Sequence, residues 1–288
     1  VSDRQRKQMT TVGGNVTTYG VDGKFDDCQA MVKRAFSDPD VAHIPLSSAN
    51  SINIGRLLPQ SVYYTYAYLQ LADVAARQPI TFVVPCGNFG NLMGGLLARE
   101  MGLPVERFVV ATNANDEVPI FFDTAQYNKL VPSRTCISNA MSVGHPSNLA
   151  RLVDLYDGHV DETGLLVKLP DMDRLHRDMW SVSVDDTETR ATIGATWRAH
   201  QTMLEPHGAV GWAALERYFE IESKDPDELA VSLETAHPAK FPDEVLAITG
   251  EEPVPPPALA GLDSLTEQYE NMDVDYGAFR SWLADTHG

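Results

Sequence analysis

Val83-Val84-Pro85-Cys86-Gly87-Asn88-Phe89-Gly90-Asn91-Leu92-Met93-Gly94-Gly95-Leu96 decides how the rest of the chain is read, because an apolar strand runs into a small-residue turn and then into a helix. Gly87 and Gly90 permit backbone geometry that a Cβ would obstruct. A helix starting near Asn91 points unpaired N–H groups and the positive end of its dipole into the turn, so an anion, and a phosphate above all, suits that place. The plain alternative is a tight strand-to-helix connection that holds no ligand. Residues 80–84 form the strand and residues 90–101 the helix, which Gly102 and Pro104 stop. Residues 107–112 form a second apolar strand. Two strands joined by one helix make a right-handed unit, so the sheet is expected to be parallel, with a ligand outside the carboxyl ends of its strands.

Outward from this centre, residues 47–53 are dense in Ser and Asn and stand before a helix whose first turn accommodates Pro59. Leu58, Val62, Tyr66 and Leu69 repeat at helical spacing and mark its expected inner stripe. Ser and Asn are the usual helix caps; with Arg56 they can equally form a second anion site. Tyr63, Tyr64 and Tyr68 read as packing residues. Nearer the N-terminus, residues 15–21 read as a strand and 26–36 as a helix capped by Asp26 or Asp27. Later, residues 148–156 and 185–203 are helical, Pro206-His207-Gly208 breaks the pattern, and residues 209–221 resume it. His207 suits a structural role at that break, and His145 has no sequence partner that would make a metal site or a triad. Residues 229–233 form a last strand, with Thr235-Ala236-His237-Pro238 at its carboxyl end and a helix over 239–249. Pro253, Pro255, Pro256 and Pro257 make a stiff connection to a tail that ends in a helix over 276–284.

A length of 288 residues with 43% hydrophobic content allows a substantial core. The formal net charge of −18 argues against nucleic acid or an anionic membrane as the main partner, while leaving room for a local basic pocket. Cys28, Cys86 and Cys136 are too few and too far apart for a disulfide framework or a Cys-x-x-Cys metal site, which points to a reducing, cytoplasmic setting. No apolar run is long enough to span a bilayer.

The Gly-Asn-Phe-Gly turn, Ser48-Ala49-Asn50-Ser51-Ile52-Asn53-Ile54-Gly55-Arg56-Leu57-Leu58-Pro59-Gln60 and Thr235-Ala236-His237-Pro238-Ala239-Lys240-Phe241 resemble segments of threonine synthase. Phe25-Asp26-Asp27-Cys28-Gln29 and Glu205-Pro206-His207 extend the likeness, in the right order, over nearly the whole chain. The resemblance implies an α/β, parallel-sheet, pyridoxal-phosphate-dependent protein of fold type II, like the β subunit of tryptophan synthase. It also implies conversion of the small molecule O-phosphohomoserine, with water, to threonine and phosphate. Residues 1–78 would then belong to a mobile N-terminal domain carrying the substrate segment, 79–252 to the cofactor domain, and 253–288 to a C-terminal extension packed on it.

The same resemblance assigns residues to parts. Gly87, Asn88, Phe89, Gly90 and Asn91 would hold the cofactor phosphate, and Thr235 would place its hydroxyl near the pyridine nitrogen. Ser48, Asn50, Ser51, Asn53 and Arg56 would contact the substrate's phosphate or carboxylate. The family's cofactor-bonding lysine lies in a Phe-Lys-Asp motif near the protein's beginning, and no Phe-Lys-Asp occurs in these 288 residues. Lys7, Lys24, Lys33, Lys129, Lys168, Lys224 and Lys240 all lack that setting, so the chain is expected to be incomplete at its N-terminus and inactive without the missing segment as a partner. Two departures stand out: Cys86 where many relatives have Ser or Thr, and Glu234 where a small residue is common. A phospho-lyase releasing an oxo acid, and a non-catalytic fragment that binds pyridoxal phosphate, are the competing expectations.

Overall fold

The computed structural model describes residues 3–223, 225 and 227–288, and the backbone alone of Phe25 and Asp26. Lys224 and the Asp26 side chain, both named above, lie outside the described residues. The strands are β1 Tyr19–Val21, β2 Ile80–Pro85, β3 Val105–Thr112, β4 His159–Val160, β5 Leu166–Lys168, β6 Met179–Ser183, β7 Ala230–Ser232 and β8 Glu270–Met272.

Two compact units divide the chain: residues 1–48 with 255–288, and residues 49–254. The second unit is built on a four-stranded sheet in the order β6-β3-β2-β7, parallel at every pairing. Every residue of β2 is buried, as a near-continuous apolar strand in the middle of a parallel sheet should be. Its side chains alternate. Ile80, Phe82 and Val84 face one layer with Phe108, Val110, Leu92 and Leu96, whereas Val83 faces the other with Val109, Val210, Ala213 and Ala214. The first layer holds the helices Ser61–Leu71 and Gly90–Glu100, and the second holds Pro206–Ile221. Burying a side chain such as Phe82 contributes about 1.5–3 kcal/mol, so each side of the sheet is fixed by a few large residues.

The expected inner stripe of the helix after Pro59 is corrected by the structure. Leu58, Val62, Tyr66 and Leu69 are exposed, and Leu57, Ser61, Tyr64 and Tyr68 are buried instead. Both stripes have helical spacing, so periodicity could not choose between them. Ring packing does: Tyr64 meets Phe82 edge-on at 4.9 Å and Phe108 at 6.1 Å between centroids. That helix is also shorter than expected, because Ile54–Leu57 and the 3-10 turn Leu58–Gln60 precede Ser61–Leu71. The edge strand β6 and the β4–β5 hairpin had no counterpart in the sequence reading.

In the first unit β1 pairs in parallel with β8, from Tyr19–Glu270 to Val21–Met272. Asp27, not an N-cap residue, stabilises the start of helix Phe25–Ser37 by accepting from the Lys24 amide at 2.8 Å. A small core of Ala35, Val41, Ile44 and Leu283 joins that helix to Tyr276–His287.

Candidate active site

The ladder between β2 and β3 continues one step past Pro85, where the Cys86 amide donates to Ala111 O at 2.7 Å. The Cys86 thiol is buried, donates to Val84 O at 3.2 Å, and is pushed well above its ordinary pKa by that burial. It is a packed thiol, not a nucleophile.

Gly87 is required by a close approach and not by its dihedrals, since a Cβ there would lie 2.7 Å from Ala140 O. The left-handed residue in the turn is Phe89, at φ 61 and ψ 12, with a ring that is 2% exposed. Phe89 is the N-cap of helix Gly90–Glu100 and makes no side-chain cap bond, so it leaves the first-turn amides to other partners. A Cβ on Gly90 would stand 2.9 Å from the Ser51 Cβ. The turn and the Ser/Asn segment are thus in contact across that glycine, between residues 39 apart in sequence.

Long-range hydrogen bonds hold this junction. Asn148 Nδ2 donates to Asn88 O at 2.8 Å, and the Ser147 amide donates to Asn88 Oδ1 at 3.1 Å. Arg151 donates from Nη1 to Asn148 Oδ1 at 2.5 Å and from Nη2 to Ile52 O at 2.7 Å, tying the Ser/Asn segment to the turn. Tyr63 and Tyr64 donate to Asn91 Oδ1 at 2.5 and 2.7 Å, so two tyrosines that read as packing residues also orient the helix entrance. Nothing in the sequence marked Asn148 or Arg151, because their partners lie 60 and 99 residues away.

Beside these contacts lies an open cavity of about 390 Å³ lined by residues 49–51, Arg56, Gln60, residues 85–91 and Ala140. Among the described residues Arg56 is the one charged side chain on that wall, in a chain of net charge −18. Among the described residues its guanidinium has no ion-pair partner. Asn50 and Ser51 reach the wall with Arg56. Asn53 does not; its Oδ1 accepts from the Gly55 amide at 2.9 Å and caps the short helix that carries Arg56. Ser48 belongs to the first unit. No lysine lines the cavity among the described residues.

β7 runs beside β2, with Val83 level with Ser232 and the Leu233 amide donating to Val83 O at 3.0 Å. Thr235 follows three residues beyond that pair, at the same carboxyl end of the sheet as the turn. It is exposed and is not on the cavity wall. Its neighbour Glu234 is drawn inward: a Cβ on Gly208 would overlap the Glu234 carboxyl. Loss of solvent around that carboxyl, then its hydrogen bond and charge contact with Glu205, push Glu234 up to about 9. Burial alone would raise Glu205 too, but the hydrogen bonds it accepts from the His207 ring and amide outweigh it and hold Glu205 below its ordinary value.

No group of three or more His, Cys, Asp or Glu among the described residues could hold a metal ion, and no helix among them is long and apolar enough to cross a membrane. A cavity with one cation on its wall among the described residues, set where an inner strand of an open parallel sheet gives way to a helix, is the kind of place where α/β proteins bind anions. Residues 1–233 match the family model described as pyridoxal-phosphate dependent enzyme, and residues 208–282 match the one described as threonine synthase, C-terminal. The chain belongs to the pyridoxal-phosphate dependent enzyme family. It is 39% identical to threonine synthase of Escherichia coli over 98% of this chain and 61% of that protein. The threonine synthase of Pseudomonas aeruginosa is 38% identical over 100% of this chain and 63% of its own length. Among solved structures, pyridoxal-phosphate-bound threonine synthase from Brucella melitensis superposes with a TM-score of 0.85 at 31% identity, covering 100% of this chain and 63% of that one. The chain therefore spans a little over three fifths of the length of these relatives, and shares their parallel α/β fold.

Proposed function

We propose that these 288 residues are the larger part of a threonine synthase that binds pyridoxal phosphate and acts on O-phosphohomoserine, with the cofactor-bonding lysine supplied by sequence outside them. The observation that carries this reading is the cavity at the end of β2, whose wall brings together Arg56, its one charged side chain among the described residues, and the start of helix Gly90–Glu100, where Phe89 makes no side-chain cap bond. The chain's residues fit a phosphate group there: glycines at 87 and 90 leave no room for a Cβ, and the Gly90 and Asn91 amides open the helix.

When bound, pyridoxal phosphate supplies a ring that withdraws electrons from the substrate's carbons. The backbone of residues 87–91 would bind its phosphate, and Thr235 would present a hydroxyl to the pyridine nitrogen. A hydroxyl, unlike a carboxylate, does not force a proton onto that nitrogen. Asn50, Ser51 and Arg56 would take the anionic end of the substrate, Asn53 would hold the Arg56 helix in place, and Ser48 is carried into the same set by the resemblance. Residues 79–252 would be the cofactor domain, and the setting would be the cytoplasm. A second reading, cofactor binding without turnover by this chain alone, is favoured by the lack of a Phe-Lys-Asp motif and of any lysine on the described cavity wall.

Titrating the chain with pyridoxal phosphate and with pyridoxal tests the first step; the phosphate ester should bind at least about tenfold tighter, as charge-assisted bonds to a phosphate require. Arg56→Leu should weaken O-phosphohomoserine binding more than cofactor binding. Borohydride reduction and peptide mapping should label no single lysine stoichiometrically, and no threonine should form until a lysine-bearing segment is added. Equal affinity for the two pyridoxal compounds would remove the turn from the site, and turnover by the chain alone would overturn the external lysine.

A further inference from the structure

Glu205 is fully buried and, besides the hydrogen bond it shares with the Glu234 carboxyl, accepts from the His207 amide at 2.9 Å, from His207 Nδ1 at 2.6 Å and from the Gly208 amide at 2.9 Å. Its capping of helix Pro206–Ile221 explains the two amides. It does not explain the imidazole. His207 is 3% exposed, its ring lies 5.3 Å from that of Phe241, and its far nitrogen Nε2 stands 3.1 Å from the Ala140 amide. An amide N–H can only donate, so Nε2 must offer its lone pair and Nδ1 must carry the hydrogen that Glu205 receives. The carboxylate therefore fixes the ring in the one tautomer that can hold Ala140.

Ala140 sits in the 3-10 turn Asn139–Met141, whose N-cap, Ser138, makes no side-chain cap bond. The ends of that turn are held elsewhere: Asn113 Nδ2 donates to Ser138 Oγ at 3.1 Å, and Met141 packs in the core. Its middle is held by His207, 67 residues away. The same residue that gives its N–H to the imidazole turns its carbonyl to within 2.7 Å of where a Gly87 Cβ would lie, and it also lines the cavity. Glu234 closes the other side of this group, its carboxyl over Gly208, and leads directly to Thr235.

We propose that His207, oriented by Glu205, is a positioning residue for the phosphate turn: through the Ala140 amide it sets where the backbone of residues 139–141 stands against Gly87, and so shapes the cavity for the cofactor phosphate. This rests on the cofactor reading above. His207 touches no ligand atom itself.

Two substitutions separate positioning from general support. His207→Asn places a carboxamide near Nδ1, so the buried Glu205 keeps a donor while Ala140 loses its acceptor; His207→Gln extends a carboxamide oxygen to the place of Nε2. The probes are pyridoxal phosphate and pyridoxal, which differ only in the phosphate. His207→Asn should lose about tenfold in affinity for pyridoxal phosphate, the scale of one lost hydrogen bond in a preorganised site, with pyridoxal changed less than twofold. His207→Gln should recover to within about threefold of the native value. Native preference in His207→Asn, an equal loss for both probes, or failure of His207→Gln to recover overturns the positioning role. A measurement on the native chain covers the case of a variant that does not fold: the imidazole ¹⁵N resonances of His207 should show the Nδ1–H tautomer, and Nε2 should shift when inorganic phosphate is added. Resonances that show the other tautomer, or do not move, sink the proposal. If the native chain itself does not prefer pyridoxal phosphate to pyridoxal, the cofactor reading fails and the positioning role with it; if it does, only the positioning role is at stake in the variants.

Discussion

Two segments leave the same end of the same sheet from neighbouring strands, and they are built differently. The turn after β2, residues 85–91, is packed from several sides, by Ala140 at Gly87, by Ser51 at Gly90 and by Asn148 at Asn88. The segment after β7 has an exposed Thr235; Glu234, although much of the residue is exposed, turns its carboxyl inward over Gly208, and beyond them the order comes from short-range bonds such as the Ala239 amide donating to His237 Nδ1 at 3.1 Å. A site made of backbone amides must be held rigid by its surroundings, since no side chain can adjust to recover a lost contact. A site that offers one hydroxyl can stand at the surface, because rotation about a single bond aims it.

The sharpest test of that contrast is Gly87→Val. The new Cβ meets a backbone carbonyl that cannot swing away, so folding stability should fall by about 1–3 kcal/mol and phosphate-ester binding should be lost, by chemical denaturation and ligand titration. A stable Gly87→Val protein that still binds would mean that the turn is not clamped. Between the two segments in size of effect is Glu234, which joins them. With its carboxyl pushed up from 4.5 to about 9, the folded chain keeps a proton that the unfolded chain releases. That contribution is complete below the unfolded value near 4.5 and is lost as pH rises through about 9. Glu234→Gln carries no titrating proton, so its urea midpoint should gain on the native one between pH 7 and pH 10. A constant difference across that range would show that Glu234 is ionised at neutral pH. The smallest effect belongs to Thr235→Val. Removing one exposed hydroxyl should change stability by no more than about 0.5 kcal/mol and leave affinity for inorganic phosphate unchanged; a larger loss of either would place Thr235 inside the clamped turn.

How much was legible depends on the range of the contact. The strand, turn and helix over residues 80–100 follow from an apolar run, two glycines and helical spacing, all local, and the parallel pairing of β2 with β3 follows from the helix between them. The stripe of Leu58, Val62, Tyr66 and Leu69 has the period of an inner face, yet Leu57, Tyr64 and Tyr68 have a compatible period and fill the space beside Phe82. Arg56 and Asn53 looked alike as anion ligands, and a rotation of less than one helical turn sends one to the cavity and the other to the Gly55 amide. His207 looked like a residue at a helix break, which it is; that its far nitrogen holds Ala140 is invisible without the fold.

The sequence by itself determined that this chain has a parallel α/β core with a glycine-bearing strand-to-helix turn at the end of an inner strand, because alternation, glycine placement and helix entry are properties of neighbouring residues. It also carried the family, through motifs spread in order along the chain. Tertiary structure alone decided which residues close that turn. Gly87 needs its missing Cβ because of Ala140, Asn88 is tied through Asn148, and Ala140 is held by His207. Each of those pairs is separated by more than fifty residues, and only the packing of helices on the two faces of the sheet brings them within hydrogen-bonding or van der Waals distance.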